Sequence, residues 1–188
     1  MNTVAAVVVF LGVLSLAAGQ SCPRIVTRAE WGARAASTSV LPTFPPTHVV
    51  IHHTVTGACT TIAACSQIMR SMQNHHIDGN GWADIGYNFV VGGDGNVYTG
   101  RGWNRQGAHT VNFNSRSIGI AFIGTFTSGN PTAAAQNAAQ QLIACGVAQG
   151  QIARNYRLMG HRQGAATACP GNTLFATIQR WPNWTSNP

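Results

Sequence analysis

The sequence predicts an α/β domain, with α-helices packed on a central mixed β-sheet. Short β-branched or apolar runs bounded by turn residues alternate along the chain with longer segments of helical periodicity, a pattern that places helices against a sheet. A glycine-rich pentapeptide at 92–96 separates two apolar runs and marks a hairpin. No internal repeat, low-complexity tract or linker-like stretch divides the chain, so a single domain is expected.

The elements follow in order. An uncharged apolar run from Val4 to Ala18 ends in Ala17-Ala18-Gly19 before Gln20. A short apolar core followed by small residues is what signal peptidase cleaves, so residues 1–19 read as a secretory signal peptide and residues 20–188 as an extracellular domain. The run is shorter than the roughly twenty residues that span a bilayer, and no later segment reaches that length, so an integral membrane protein is not expected. His48-Val49-Val50-Ile51-His52 is a β-branched strand between Pro45-Pro46 and Thr54. From Thr60 to Asp78, the residues Ile62, Cys65, Met69 and Met72 recur at helical spacing, and Gly79 and Gly81 end that helix. Tyr87–Val91 and Val97–Thr99 form the hairpin, and Ser117–Gly124 is a further strand. Asn130-Pro131 offers an N-cap and a first-turn proline for a helix to about Gln149, stopped by Gly150. Tyr156–Met159 is the last strand. Asn172 caps a final helix carrying Leu174, Phe175, Ile178 and Trp181 on one side, closed by Pro182.

All 11 basic residues are arginine, against 4 acids, Glu30, Asp78, Asp84 and Asp94, which gives a formal charge of +7. Such an excess attracts anionic partners. The arginines are scattered and no nucleic-acid motif accompanies them, so nucleic acid is not the expected partner; a polyanionic microbial wall suits an extracellular protein. Five cysteines, Cys22, Cys59, Cys65, Cys145 and Cys169, leave one unmatched if the others pair. Cys59 and Cys65 are close enough to clip a loop at the start of a helix, and Cys22 can tie the N-terminal arm to the helix carrying Cys145. A different pairing scheme or an unpaired buried thiol also accounts for the odd count, because sequence does not fix connectivity.

His52 ends the first strand and His161 follows the last, with Cys169 eight residues later on a loop rich in Gly and Thr. Two imidazoles and one thiolate form a three-ligand zinc set with a fourth position open to water, whose pKa zinc lowers to about 7. A lone histidine is more often a structural residue, and a thiolate with an imidazole can also act without metal. A glycosidase needs two suitably spaced carboxylates, which four acids supply poorly.

Six segments occur in order: Ile51-His52-His53-Thr54, Asp84-Ile85-Gly86-Tyr87-Asn88-Phe89, Gly100-Arg101-Gly102-Trp103-Asn104, Gly107-Ala108-His109-Thr110, Ser117-Ile118-Gly119-Ile120, and Gly160-His161-Arg162 with Cys169-Pro170-Gly171. Together with the cysteine pattern they resemble the short secreted peptidoglycan recognition proteins, which share a fold with the type 2 muramoyl-alanine amidases. The resemblance runs from about Cys22 to Trp184.

That resemblance implies Zn2+ held by His52, His161 and Cys169, with His53 structural. It implies that Tyr87 and Thr167 act on the hydrated amide as catalytic residues. It places a stem-peptide groove near His75, Trp82, Tyr87, Trp103, Asn104, Arg105, His109 and Arg116, with Arg116 facing the extra carboxylate of diaminopimelate. The implied activity is zinc-dependent hydrolysis of the amide between N-acetylmuramic acid and L-alanine in bacterial peptidoglycan, in innate immune defence. The alternative is a non-catalytic peptidoglycan receptor; relatives that bind without cutting typically lack the ligand cysteine, which this chain keeps.

Overall fold

A computed structural model of the chain describes residues 22–188, so the expected signal peptide lies outside the described residues. The β-branched run forms β2 (His48–His53), every residue of which is buried. The hairpin forms as β3 (Phe89–Val91) and β4 (Val97–Thr99), paired antiparallel. Its turn needs Gly95 at φ 79°, a left-handed conformation that glycine adopts at little cost. Asp94 holds the turn by accepting from the Tyr98 hydroxyl at 2.6 Å. β5 (Ser117–Phe122) pairs in parallel with both β2 and β3, and β6 (Arg157–Gly160) pairs in parallel with β2. A two-residue strand, β1 (Ile25–Val26), completes a six-stranded mixed sheet in the order β1-β4-β3-β5-β2-β6.

Among the described residues, four α-helices pack on this sheet. α1 (Arg28–Trp31) is a single turn closed by a capping box between Thr27 and Glu30, and neither it nor β1 was expected from the sequence. α2 (Ile62–Asn74) begins at the Thr61 cap and is shorter than the expected Thr60–Asp78 helix, because residues 75–79 widen into a π-helical turn. α3 (Ala133–Ala148) is capped by Thr132, whose hydroxyl accepts from Ala135 N at 3.1 Å, and not by Asn130. Asn130 instead accepts from the Thr177 hydroxyl at 2.8 Å. α4 (Asn172–Ile178) has Asn172 as its first helical residue, not its cap, and ends before Trp181.

Strand alternation sorts the side chains between two faces. Val49, Ile51, Phe89, Ile118, Ile120 and Phe122 join α3 and α4 residues in the larger core. Val90, Tyr98 and Ala121 face the other way, toward α1 and α2, while Val50 meets Phe113 and Met159. His52 shares parity with Val50, so it stands on that second face, between the cover from α2 and the cover from the 109–116 loop. Two disulfides, Cys22–Cys145 and Cys59–Cys65, tie the periphery, and Cys169 is free and buried.

Candidate functional site

β2 and β6 lie side by side, so His52 and the residue just past β6, His161, meet at the same end of the sheet. Their rings are 4.5 Å apart, centroid to centroid. The loop after His161 folds back to bring Cys169 to them, held by Arg162. The Arg162 amide donates to Cys169 O at 2.9 Å, its guanidinium donates to Ala168 O and Asn172 Oδ1, and it stacks 4.8 Å from the Phe175 ring. One ligand atom from each of His52, His161 and Cys169 lies within 4.8 Å of the others. Cys169 Sγ is 3.7 Å from His52 Nδ1. In a tetrahedral zinc site, Zn–N and Zn–S bonds of the usual lengths put nitrogen and sulfur about 3.6 Å apart. The donor set and its spacing therefore fit zinc.

The surroundings favour neutral imidazoles. Burial and the neighbouring histidines push His52 well below its ordinary pKa. Burial pushes His109 down to about 3 and the Cys169 thiol up to about 11. The backbone N–H of His53 points at the same sulfur, 3.4 Å away, and opposes that rise. His53's own ring accepts from Phe126 N at 3.3 Å, so it organises the loop behind the sulfur.

Tyr87 lies beside the cluster, its ring 5.2 Å from that of His52, and burial drives its pKa upward, so it stays a neutral phenol able to donate. It also lines a cavity of about 370 Å³ against α2, with Thr54, Thr56, Ile68, Met72, His75 and His76. The π-helical turn produces this wall: it leaves His75 exposed and buries His76, whose Nδ1 accepts from Gly86 N at 3.0 Å. Trp82 flanks it, 4.8 Å from the His76 ring. Thr167 is exposed on the loop, and its hydroxyl oxygen accepts from Cys169 N at 3.2 Å, leaving its proton free to donate.

The other expected groove residues are spread more widely over the structure. Trp103 is turned to the opposite face of the sheet, where it packs 4.4 Å from Phe89 and against the larger core. Part of its apolar area is spent on β3 and on α3, where its ring lies against Gly146, and the rest stays exposed. Asn104 is exposed in the left-handed conformation, with its carbonyl accepting from Leu41 N. Arg116 is exposed just before β5, its guanidinium 4.6 Å from the Phe113 ring. Five residues of extended strand, about 16 Å, separate it from Ala121, the partner of His52. His109 is buried against the cluster, its Nδ1 3.0 Å from His52 Nε2. Arg105 donates to Thr38 O and lines a polar cavity of about 220 Å³ with Arg28, Asp84 and Arg101.

Three contributors escaped the sequence reading. Arg101 is half-buried between that polar cavity and a neighbouring one that reaches Gly107. It donates to the carbonyls of Ile85, Gln106 and Asp84, which leaves two of its five N–H groups unspent. Thr110 and Ser117 are both buried beside His109. All three stand inside the ordered motifs, so the signal was present without the role. A cavity of about 390 Å³ lined by Ile143, Tyr156 and Trp181 lies across the sheet from this cluster.

Comparison with known proteins agrees with this architecture. Residues 42–172 match the family described as N-acetylmuramoyl-L-alanine amidase. Peptidoglycan-recognition protein SC2 of Drosophila simulans is 46% identical over 176 residues, covering 94% of this chain and 96% of that one. The structure of wild-type Drosophila peptidoglycan recognition protein LB superposes with a TM-score of 0.85 at 44% identity, covering 87% of this chain and 96% of that one. Peptidoglycan recognition protein LE, solved in complex with tracheal cytotoxin, a monomeric diaminopimelic acid-type peptidoglycan, superposes at 0.84 with 44% identity, covering 86% and 96%.

Proposed function

The chain belongs to the N-acetylmuramoyl-L-alanine amidase family, among its peptidoglycan recognition proteins, and on that premise we propose that it binds bacterial peptidoglycan and hydrolyses the amide between N-acetylmuramic acid and L-alanine. The observation that carries hydrolysis is the convergence of His52, His161 and Cys169 within 4.8 Å. Zinc held there supplies Lewis-acid activation of water for attack on an amide carbonyl.

The chain's own residues supply the rest. Tyr87 presents a neutral hydroxyl to the carbonyl oxygen as negative charge develops on it, where a placed donor is worth most. Thr167 offers a second hydroxyl from the loop. The cavity between Tyr87 and α2 receives the stem peptide beside His75 and Trp82. Arg101 offers two N–H groups to a peptide carboxylate; paired N–H donors suit the carboxylate that distinguishes diaminopimelate from lysine. Secretion after removal of residues 1–19 and a role in innate defence complete the proposal, since the relatives are recognition proteins for this wall polymer.

The test is muropeptide digestion followed by detection of released stem peptides. Chelation abolishes release and zinc restores it; Cys169→Ser abolishes release and zinc binding while peptidoglycan binding persists. Full activity after verified metal removal returns the assignment to a thiol hydrolase. Binding without release in the zinc-loaded wild type returns it to a receptor.

A further inference from the structure

Building on the zinc reading above, we propose that His109, held by Ser117, is a positioning residue that fixes the tautomer of His52 and leaves the His52 Nδ1 lone pair facing Cys169. His52 has two ring nitrogens, and only one can present a lone pair to the cluster while the other carries the proton. Its Nδ1 lies 3.7 Å from Cys169 Sγ, and its Nε2 lies 3.0 Å from His109 Nδ1. The question is which of the two facing nitrogens donates.

The answer comes from three bonds away. The Ser117 hydroxyl donates to the Phe113 carbonyl at 2.8 Å, and a carbonyl can only accept. With its proton spent, Ser117 Oγ can only accept from His109 Nε2, 3.4 Å away. His109 then carries its proton on Nε2, and its Nδ1 is an acceptor. His52 Nε2 must therefore donate, and His52 Nδ1 is bare. Thr110 does not upset this order. Its hydroxyl lies 3.1 Å from His109 Nδ1 and 3.4 Å from His52 Nε2, so it can donate to the first and accept from the second. Either route keeps the proton on His52 Nε2.

The packing holds the ring in this register. Side chains at Gly107 and Gly119 would collide with the His109 imidazole, so the two glycines make its slot. Ser117 is fully buried and His109 is 8% exposed, so neither loses these bonds to water. A backbone carbonyl in the 109–116 loop thereby sets, through two side chains, which nitrogen of a β2 histidine is offered to a metal. Outer partners of metal-bound histidines commonly act this way, and losing one costs roughly 10–100-fold in metal affinity.

The test measures zinc affinity by competition with a chromogenic chelator, with the visible spectrum of the cobalt-substituted protein as a second readout. His109→Leu is expected to bind zinc 10–100-fold more weakly and to distort the cobalt spectrum. His109→Asn, whose amide oxygen can stand near the Nδ1 position, is expected to recover most of both. Thermal unfolding of the metal-free variants checks that each folds. If His109→Leu does not fold, nitrogen-proton correlation spectra of metal-free wild type decide instead, with the His109 proton expected on Nε2. A proton on His109 Nδ1, or wild-type zinc affinity in folded His109→Leu, overturns the inference. Wild type that binds no zinc overturns the metal reading itself, a distinct result.

Discussion

His76 makes a pH-dependent contribution to stability that can be worked from its surroundings. The ring is 8% exposed, packs against Trp82 and Tyr87, and accepts from Gly86 N through Nδ1. Burial, then the charges of His75 and Arg101, push its pKa from 6.5 to about 4, with Asp84 opposing in part. The native ring stays neutral down to about pH 4, whereas the unfolded chain takes up a proton below 6.5. Between those limits the unfolded state binds more protons, so stability is lost as pH falls, and the loss levels off below the native pKa. At about 1.4 kcal/mol per pH unit, the ring costs on the order of 2–3 kcal/mol at about pH 4.5 relative to neutrality. His76→Asn keeps an acceptor for Gly86 N and removes the titration. Urea unfolding of both proteins from about pH 7 to about pH 4.5 gives the comparison, because errors of extrapolation common to both cancel. The variant is expected to be the less stable at neutrality and to lose on the order of 2–3 kcal/mol less on acidification. Parallel stability curves would refute the reasoning, since they would mean that His76 titrates alike in both states.

Trp103→Ala is expected to cost roughly 3 kcal/mol of stability with peptidoglycan affinity unchanged; weakened affinity at an unchanged melting temperature would return Trp103 to the groove. Arg101→Ala is expected to lower the ratio of affinities for diaminopimelate-type over lysine-type muropeptides about tenfold, the worth of a charge-assisted hydrogen bond. Arg116→Ala is expected to leave that ratio alone, and the opposite result in matched titrations would restore the assignment drawn from the motifs.

Local sequence determined those features whose physics is local. The β-branched run at 48–52 became β2 with one residue added, and the hairpin at 92–96 formed because Gly95 meets the backbone demand of its turn. The identities of His52, His161 and Cys169 as a donor set were readable as well, since ligand chemistry belongs to residue type and the motifs fix their order. What sequence could not decide were choices between equivalent local solutions. Asn130 and Thr132 are both competent helix caps; a hydroxyl on α4, at Thr177, claimed Asn130 and left the cap to Thr132. Trp103 stands in the same motif as Arg101, yet its ring found a slot on the α3 face while Arg101 lines a polar cavity. Arg116 carries the right charge for a carboxylate and stands exposed just before β5, at the opposite end of that strand from Ala121, the partner of His52. His109 has the chemistry of a groove residue, and only the bare backbones of Gly107 and Gly119 let it sink against the sheet and turn its polar atoms toward His52 and Ser117. Residue type limits which bonds a side chain can make, whereas the partner within reach depends on packing between segments far apart in the chain, and that is a property of the tertiary structure alone.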